Sequence, residues 1–217
     1  MTNQGKFFDI YLKELLRWNK KFNLTSITDP EEIRLKHFED SLSILQTIKL
    51  TNQSVIDIGT GAGFPGIPLR IVCPEIKLTL LEATRKKVEF LKHLISILDL
   101  KDVEIIWGRA EEIAKEKREA FDLAISRAVA KLKVLCEYCL PLVKIGGIFV
   151  AYKEEKIEKE IEESKKAIEI LGGRLKETKK FKVPDSDMVR SLVIIQKVAP
   201  TPAKYPRRAG MAKKKPL

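Results

Sequence analysis

Apolar positions change their spacing along the chain, and each change marks an element. Phe8, Tyr11, Leu12, Leu15, Trp18 and Phe22 recur at helical spacing, so Phe7 to Phe22 reads as a helix whose single apolar stripe is a core face. Asp29, Pro30 and Glu32 then supply an N-cap, a first-turn proline and an acid at the third position. They open a second helix, running to about Thr47 and burying Ile33, Phe38, Leu42 and Leu45. The two helices of residues 1–50 are too few to form a domain and are expected to pack on a sheet and overhang its ligand-binding edge.

From Ser54 onward the apolar runs become short enough for strands. Val55 to Ile58, Leu78 to Leu81, Val103 to Trp107, Phe121 to Ile125 and Ile148 to Tyr152 alternate with helical stretches near Lys86 to Leu98, Ala110 to Lys115 and Leu132 to Leu140. Such alternation specifies a parallel sheet with helices on both faces. An amphipathic helix follows, with Ile157, Ile161, Ile168 and Leu171 on one stripe, and Gly172-Gly173 ends it. Arg174 to Val183 and Arg190 to Val198 are joined by Pro184 to Met188 without a helix, so they form a hairpin and the final strand is antiparallel to its neighbour. The expectation is one α/β domain over 1–217: N-terminal helices, a Rossmann-like core over 54–198 and a tail over 199–217.

The first strand ends in Ser54 to Gly66, SVIDIGTGAGFPG, with glycines at 59, 61, 63 and 66. Glycine there permits positive φ and close approach of a ligand to the backbone. Pro65 and Pro68 sit where a helix begins, and the unpaired N–H groups of a helix start favour an anion. A dinucleotide loop would place its third glycine at position 64, which is Phe64. The acid-x-Gly-x-Gly-x-Gly form, Asp57 to Gly63, instead resembles motif I of class I methyltransferases, which bind S-adenosylmethionine; a tight turn with no ligand is the plainer reading. The closing hairpin favours the methyltransferase architecture over a nicotinamide-binding oxidoreductase sheet, which is parallel throughout.

Charge adds a partner. Lys and Arg number 41 against 30 Asp and Glu, a net +11 that points to a polyanion. Lys204, Arg207, Arg208, Lys213, Lys214 and Lys215 follow Ala203 with no acid among them; by composition alone they form either a phosphate-binding or a merely solvated tail. Met1 to Lys6 lacks a signal-peptide pattern and no apolar run reaches membrane-spanning length, so a cytoplasmic protein without a membrane partner is expected. Cys136 and Cys139 have no second pair and fall in a helical pattern, which makes them core thiols; no metal is expected.

In an open parallel sheet the chemistry lies just beyond the carboxyl ends of the strands. Glu82 ends the second strand, where a carboxylate accepts ribose hydroxyls, or is an ordinary strand-end acid. Ala110 and Glu111 follow the third strand, where they could meet an adenine edge or simply open a helix. Arg127 ends the fourth within Ser126-Arg127-Ala128-Val129, and is the candidate for orienting cofactor or base. The Asn/Asp-Pro-Pro-aromatic motif of exocyclic-amine methylation and the Pro-Cys nucleophile of pyrimidine-carbon methylation are both missing there. Those departures favour a target with its own lone pair, such as guanine N7, and catalysis by alignment and exclusion of water. Arg85, Lys86 and Lys87 open a helix against its macrodipole and, with Lys131, Lys133 and the tail, could form a basic rim for phosphates. His37, Asp40 and Ser41 share one helical face that could roof the site; a hydrolase triad is not expected without a nucleophile elbow.

Together, the segments 18–25 (WNKKFNLT), 37–41 (HFEDS), 57–66 (DIGTGAGFPG), 108–111 (GRAE), 126–128 (SRA) and 205–208 (YPRR) are similar to the small-subunit ribosomal RNA guanine-N7 methyltransferases, the RsmG (GidB) family. The resemblance implies that S-adenosylmethionine is held by Gly59, Gly61, Phe64, Glu82 with Ala83 and Thr84, Ala110 with Glu111, and Arg127, with S-adenosylhomocysteine as product. It implies an enzyme acting on N7 of the guanine at position 527 of 16S ribosomal RNA, in free RNA or the small subunit; a monomer is expected, though the sequence itself does not show the oligomeric state. Arg85, Lys86, Lys87, Lys204, Arg207, Arg208, Lys213, Lys214 and Lys215 would hold that RNA. Methylation of another RNA or of a protein is the alternative.

Overall fold

Seven strands separated by helices build one mixed sheet in the computed structural model, which describes residues 3–184 and 186–217. Met1 and Thr2, in the opening segment read for a leader, and Asp185, in the expected turn, lie outside the described residues. The chain runs α1 (Asn3–Asn19), α2 (Pro30–Ile33), α3 (Asp40–Leu42), β1 (Ser54–Ile58), α4 (Gly66–Val72), β2 (Lys77–Glu82), α5 (Arg85–Ile97), β3 (Val103–Trp107) and α6 (Ala110–Glu116). It continues through β4 (Phe121–Arg127), α7 (Leu132–Cys139), β5 (Val143–Glu154), α8 (Glu158–Ile170), β6 (Gly173–Lys182), β7 (Val189–Lys197) and α9 (Met211–Lys214). The strand order is β3-β2-β1-β4-β5-β7-β6. β1 to β5 pair in parallel, and β7 is inserted antiparallel between β5 and β6, the closing hairpin expected from the sequence.

Each face of the sheet buries its own apolar cluster. On one side α1, the segment after it, α4 and α5 cover the sheet through residues such as Tyr11, Leu15, Phe38, Ile67 and Phe90. On the other side α6, α7 and α8 cover it, with Cys136 and Cys139 buried in α7 and their thiols pushed up by burial. Of the expected core positions, Tyr11, Leu12, Leu15, Ile33, Phe38, Ile157, Ile168 and Leu171 are buried, Phe8, Trp18, Phe22, Leu42, Leu45 and Ile161 are half-buried against the core, and Ile44 is fully buried besides.

Three expectations need correction. The helix expected from Asp29 to Thr47 starts as read, with the Asp29 side chain accepting the Glu32 N–H at 2.9 Å, but it widens into a π segment over Arg34–Glu39 and tightens to 3-10 over Ser43–Gln46. The π segment turns the carbonyls of Lys36 and His37 toward Arg127, whose Nη1 donates to both at 3.3 Å; a helix opened at a bulge gives up its own bonds where another donor replaces them. The fifth strand begins at Val143, so Gly146-Gly147 lie inside it rather than before it. A Cβ on Gly147 would stand 2.7 Å from the Asp122 carbonyl, so only glycine admits the crossing of β4 and β5 where their register shifts.

The third correction concerns the tail. It is built onto the α7 face: Tyr205 and Ala212 are buried, Arg118 donates to the carbonyls of Thr201, Pro202 and Tyr205, and the Arg207 guanidinium grips the buried Glu137 at 2.9 and 2.6 Å. Arg207 is therefore an anchor, whereas Lys204, Arg208, Lys213, Lys214 and Lys215 remain exposed. Arg207→Ala strands a carboxylate that is 1% exposed with only the backbone N–H of residue 207 facing it. We expect a loss of about 2 kcal/mol, less than for a fully buried pair because the guanidinium is partly solvated. That corresponds to a fall of roughly 5 °C in Tm by calorimetry. Truncation of the tail would remove this anchor too, so its charges are better tested by substitution.

Candidate active site

β1 sends the chain to β2 on one side of the sheet and β4 receives it on the other, so the crevice opens at the carboxyl ends of these two strands. Gly59 follows β1 with φ +70°, and a Cβ there would lie 2.6 Å from Cγ2 of Val129. The N–H groups of Gly59 and Thr60 donate to the Leu81 carbonyl at 2.9 and 3.2 Å. Glu82, buried at the end of β2, accepts the Gly61 N–H at 2.9 Å on one oxygen and the Thr84 N–H at 2.7 Å on the other. One carboxylate thus fixes both loops and keeps a lone pair on each oxygen for a hydroxyl. At Gly61 a Cβ would meet nothing closer than 3.9 Å, so the loop faces open space at that point.

The start of α4 does not await an outside anion, as the sequence suggested. Asp57 fills it: Oδ2 accepts the Gly66 N–H at 2.9 Å and the Thr60 hydroxyl at 2.6 Å, and Oδ1 has no partner. Burial outweighs those bonds and the Arg127 charge, raising the Asp57 carboxyl from 3.8 to about 7. The folded state therefore binds this proton more tightly than the unfolded chain. Its contribution to stability is complete below about pH 4 and is lost as pH rises to about 7. His37 acts oppositely: burial and then Arg127 lower it from 6.5 to about 4, so its contribution is lost as pH falls through that interval. Asp57→Asn isolates the first effect. From about pH 5 to about pH 8, urea unfolding should show the variant gaining stability relative to the parent chain; a constant difference would refute the assignment.

Above the loop, the segment from Leu24 to Asp40 forms a roof over a cavity of about 580 Å³. Tyr11 donates to the Ala62 carbonyl at 2.5 Å and stacks on Phe64, which also stacks on His37, so roof and loop share one aromatic column. Arg127 crosses the cavity floor. Its Nη1 donates to Asp40 Oδ2 at 2.8 Å, its Nη2 lies 3.3 Å from His37 Nδ1, and its guanidinium carbon lies 5.1 Å from the Phe64 ring centre. His37 is therefore neutral, with Nδ1 accepting from Arg127 and Nε2–H donating to the Thr25 hydroxyl at 2.8 Å. Asp40 Oδ1 is buried without a hydrogen-bond partner, 3.7 Å from Arg190 Nε. Tyr152 donates to the Ser41 carbonyl at 2.8 Å and joins roof to sheet, while the Ser41 hydroxyl bonds the His37 backbone, not its ring.

Of the residues singled out from sequence, Gly59, Gly61, Phe64, Lys87 and Arg127 line this cavity, as do His37 and Asp40 of the expected roof. Glu82 lies along the adjoining edge, accepting from the loop at Gly61 and from Thr84, with Ala83 between them in the chain. Ala110 and Glu111 head α6 outside the cavity, and Glu111 accepts the Gly210 N–H at 2.9 Å. Arg85 and Lys86 are exposed on the rim. Among the cavity residues that escaped the sequence reading are Tyr152, Lys153 and Arg190. Inspection of every strand end, including the longer β5, could have found the first two. Arg190 starts β7, and reaches the carboxyl edge because that antiparallel strand pairs it with Glu154.

A family model described as rRNA small subunit methyltransferase G (GidB) matches residues 4–189. Proteins named ribosomal RNA small subunit methyltransferase G are similar over nearly the whole chain. The one from Alkaliphilus metalliredigens is 50% identical across 99% of this chain and 91% of its own length, and the one from Acetivibrio thermocellus 51% identical across 98% and 88%. Among solved structures, a SAM-dependent methyltransferase from Aquifex aeolicus aligns with a TM-score of 0.57 at 17% identity, covering 80% of this chain and 96% of that one. TYW2 of M. jannaschii in complex with AdoMet aligns at 0.56 and 23% identity, covering 68% and 69%. The sheet is thus that of class I methyltransferases, as its closing hairpin indicated.

Proposed function

The chain belongs to the rRNA small subunit methyltransferase G (GidB) family, and from that membership we propose that it transfers a methyl group from S-adenosylmethionine to N7 of a guanine in 16S ribosomal RNA, in the cytoplasm. The observation that carries the reading is Arg127, held between the glycine loop and the roof and facing a cavity lined also by Asp40, whose buried Oδ1 has no hydrogen-bond partner among the described residues. A cationic amino-acid group suits that oxygen, and the guanidinium suits a carboxylate. Glu82 retains acceptor capacity for ribose hydroxyls, and Gly61 leaves room beside them. The residues present therefore fit the donor.

When bound, the sulfonium donor supplies an electrophilic methyl group and departs as the neutral thioether S-adenosylhomocysteine. Guanine N7 attacks with its own in-plane lone pair, so no base has to remove a proton first. Nothing in the cavity contradicts that economy: His37 is bonded at both ring nitrogens and the cysteines of α7 are buried away from it. The chain's part is to fix the donor on the glycine loop, orient donor or base with Arg127 and exclude water beneath the roof. The experiment is incubation with methyl-labelled cofactor and small-subunit RNA or particles, followed by mapping. Label at guanine N7 is expected; label on another atom, another RNA or protein would refute the substrate.

A further inference from the structure

β3 is an edge strand, and Val103, Ile105 and Trp107 point to one face of it. Val103 and Ile105 pack in the cluster beneath α5, but α5 starts at Arg85 and leaves Trp107 uncovered. At 60% exposure it is the most exposed large apolar side chain among the described residues. It is nevertheless held: Nε1–H donates to the Ala83 carbonyl at 3.0 Å, and the Arg85 guanidinium carbon lies 5.9 Å from the ring centre, at the outer limit of a cation–π contact. The next residue, Lys86, sets its Nζ 5.2 Å from the centre of the half-buried Phe22 ring, and Lys87 reaches the cavity. Three consecutive cations therefore lead from an aimed, uncovered indole to the mouth of the site.

We infer that Trp107, framed by Arg85 and Lys86, is a stacking platform for an unpaired base of the RNA substrate beside the target guanine. The inference rests on the reading of RNA as substrate. Bases outside a duplex stack on exposed aromatic rings while their phosphates pair with neighbouring cations, and here the ring at the end of β3 adjoins the cations of the first turn of α5. A protein partner would call for an apolar surface continuous with the indole, whereas Arg85 lies over the ring, and the chain neighbours Thr84, beside the anchoring Ala83, and Arg109, two residues after Trp107, are exposed polar residues. The N–H bond to Ala83 orients the ring before the base arrives, which lowers the entropy cost of stacking.

The test is binding, read independently of methyl transfer. Titration with a protein-free, end-labelled fragment of 16S ribosomal RNA should show Trp107→Ala weakened about 5- to 150-fold, the range for loss of one stacked base, and Trp107→Phe weakened far less. Indole emission of the parent chain should be quenched by that RNA, and the quenching should vanish in Trp107→Phe. Affinity for S-adenosylhomocysteine should be equal in all three proteins. Unchanged RNA affinity in Trp107→Ala would overturn the inference. So would matching losses of RNA and S-adenosylhomocysteine affinity, which would make the ring a wall of the cofactor site. A wild-type protein that binds RNA through Trp107 yet labels no guanine would instead fault the proposed reaction.

Discussion

Gly59→Asp is expected to abolish binding of S-adenosylhomocysteine while the circular dichroism spectrum stays that of a folded protein. Two costs act at this position. At φ +70° a side chain is in the left-handed region, at about 1–2 kcal/mol, and its Cβ would overlap Cγ2 of Val129 at 2.6 Å, where overpacking costs roughly 1–3 kcal/mol. The loop can relieve both only by moving, and its N–H groups are the ones tied to Leu81 and Glu82. Aspartate further adds a charge close to Asp57 and Glu82. Gly59→Ala combined with Val129→Ala separates the contributions, because it removes the overlap and leaves the backbone strain. That double variant should recover part of the affinity lost in Gly59→Ala, and recovery to the parent value would show that φ is unimportant there.

Arg127→Ala should damage both stability and methyl transfer. Asp40 is 4% exposed at its side chain, its Oδ1 lacks a hydrogen bond, and its nearest other cation is Arg190 at 3.7 Å. Breaking such a pair costs about 3–5 kcal/mol by leaving a charge buried alone. Loss of the orienting guanidinium should also reduce kcat/KM by about 10²- to 10³-fold. Arg127→Met with Asp40→Leu distinguishes the two roles. Removing both charges should restore much of the thermal stability, whereas methyl transfer should stay as low as in Arg127→Ala. Recovery of activity along with stability would make Arg127 a structural residue only.

The sequence made the floor of the site legible and placed its roof, but not the roof's geometry. Asp57 to Gly66 is local: strand, loop and helix start lie within one stretch, and Thr60 and Gly66 both bond to Asp57. Strand ends at Glu82 and Arg127 followed from apolar runs. The roof depends on partners distant in sequence. Lys36 and His37 could be seen as helical, but their π geometry answers to Arg127, about 90 residues later. The tail shows the same difficulty. Its charges suggested RNA, yet Arg207 serves Glu137, a residue that reads as one more acid in a helix until the fold buries it. Gly146-Gly147 suggested a break because neither reason shows in the sequence: Gly146 holds φ +88°, and Gly147 lies against the carbonyl of Asp122 on the neighbouring strand.

The sulfonium cofactor is expected across the carboxyl ends of β1 and β2, between the glycine loop and Glu82. Calorimetric titration of the full chain with S-adenosylhomocysteine, with NADH as the comparison, measures this directly. Saturable heat from S-adenosylhomocysteine, absent in Gly59→Asp and absent with NADH, is the predicted result; no heat from S-adenosylhomocysteine, or tight binding of NADH, would contradict it.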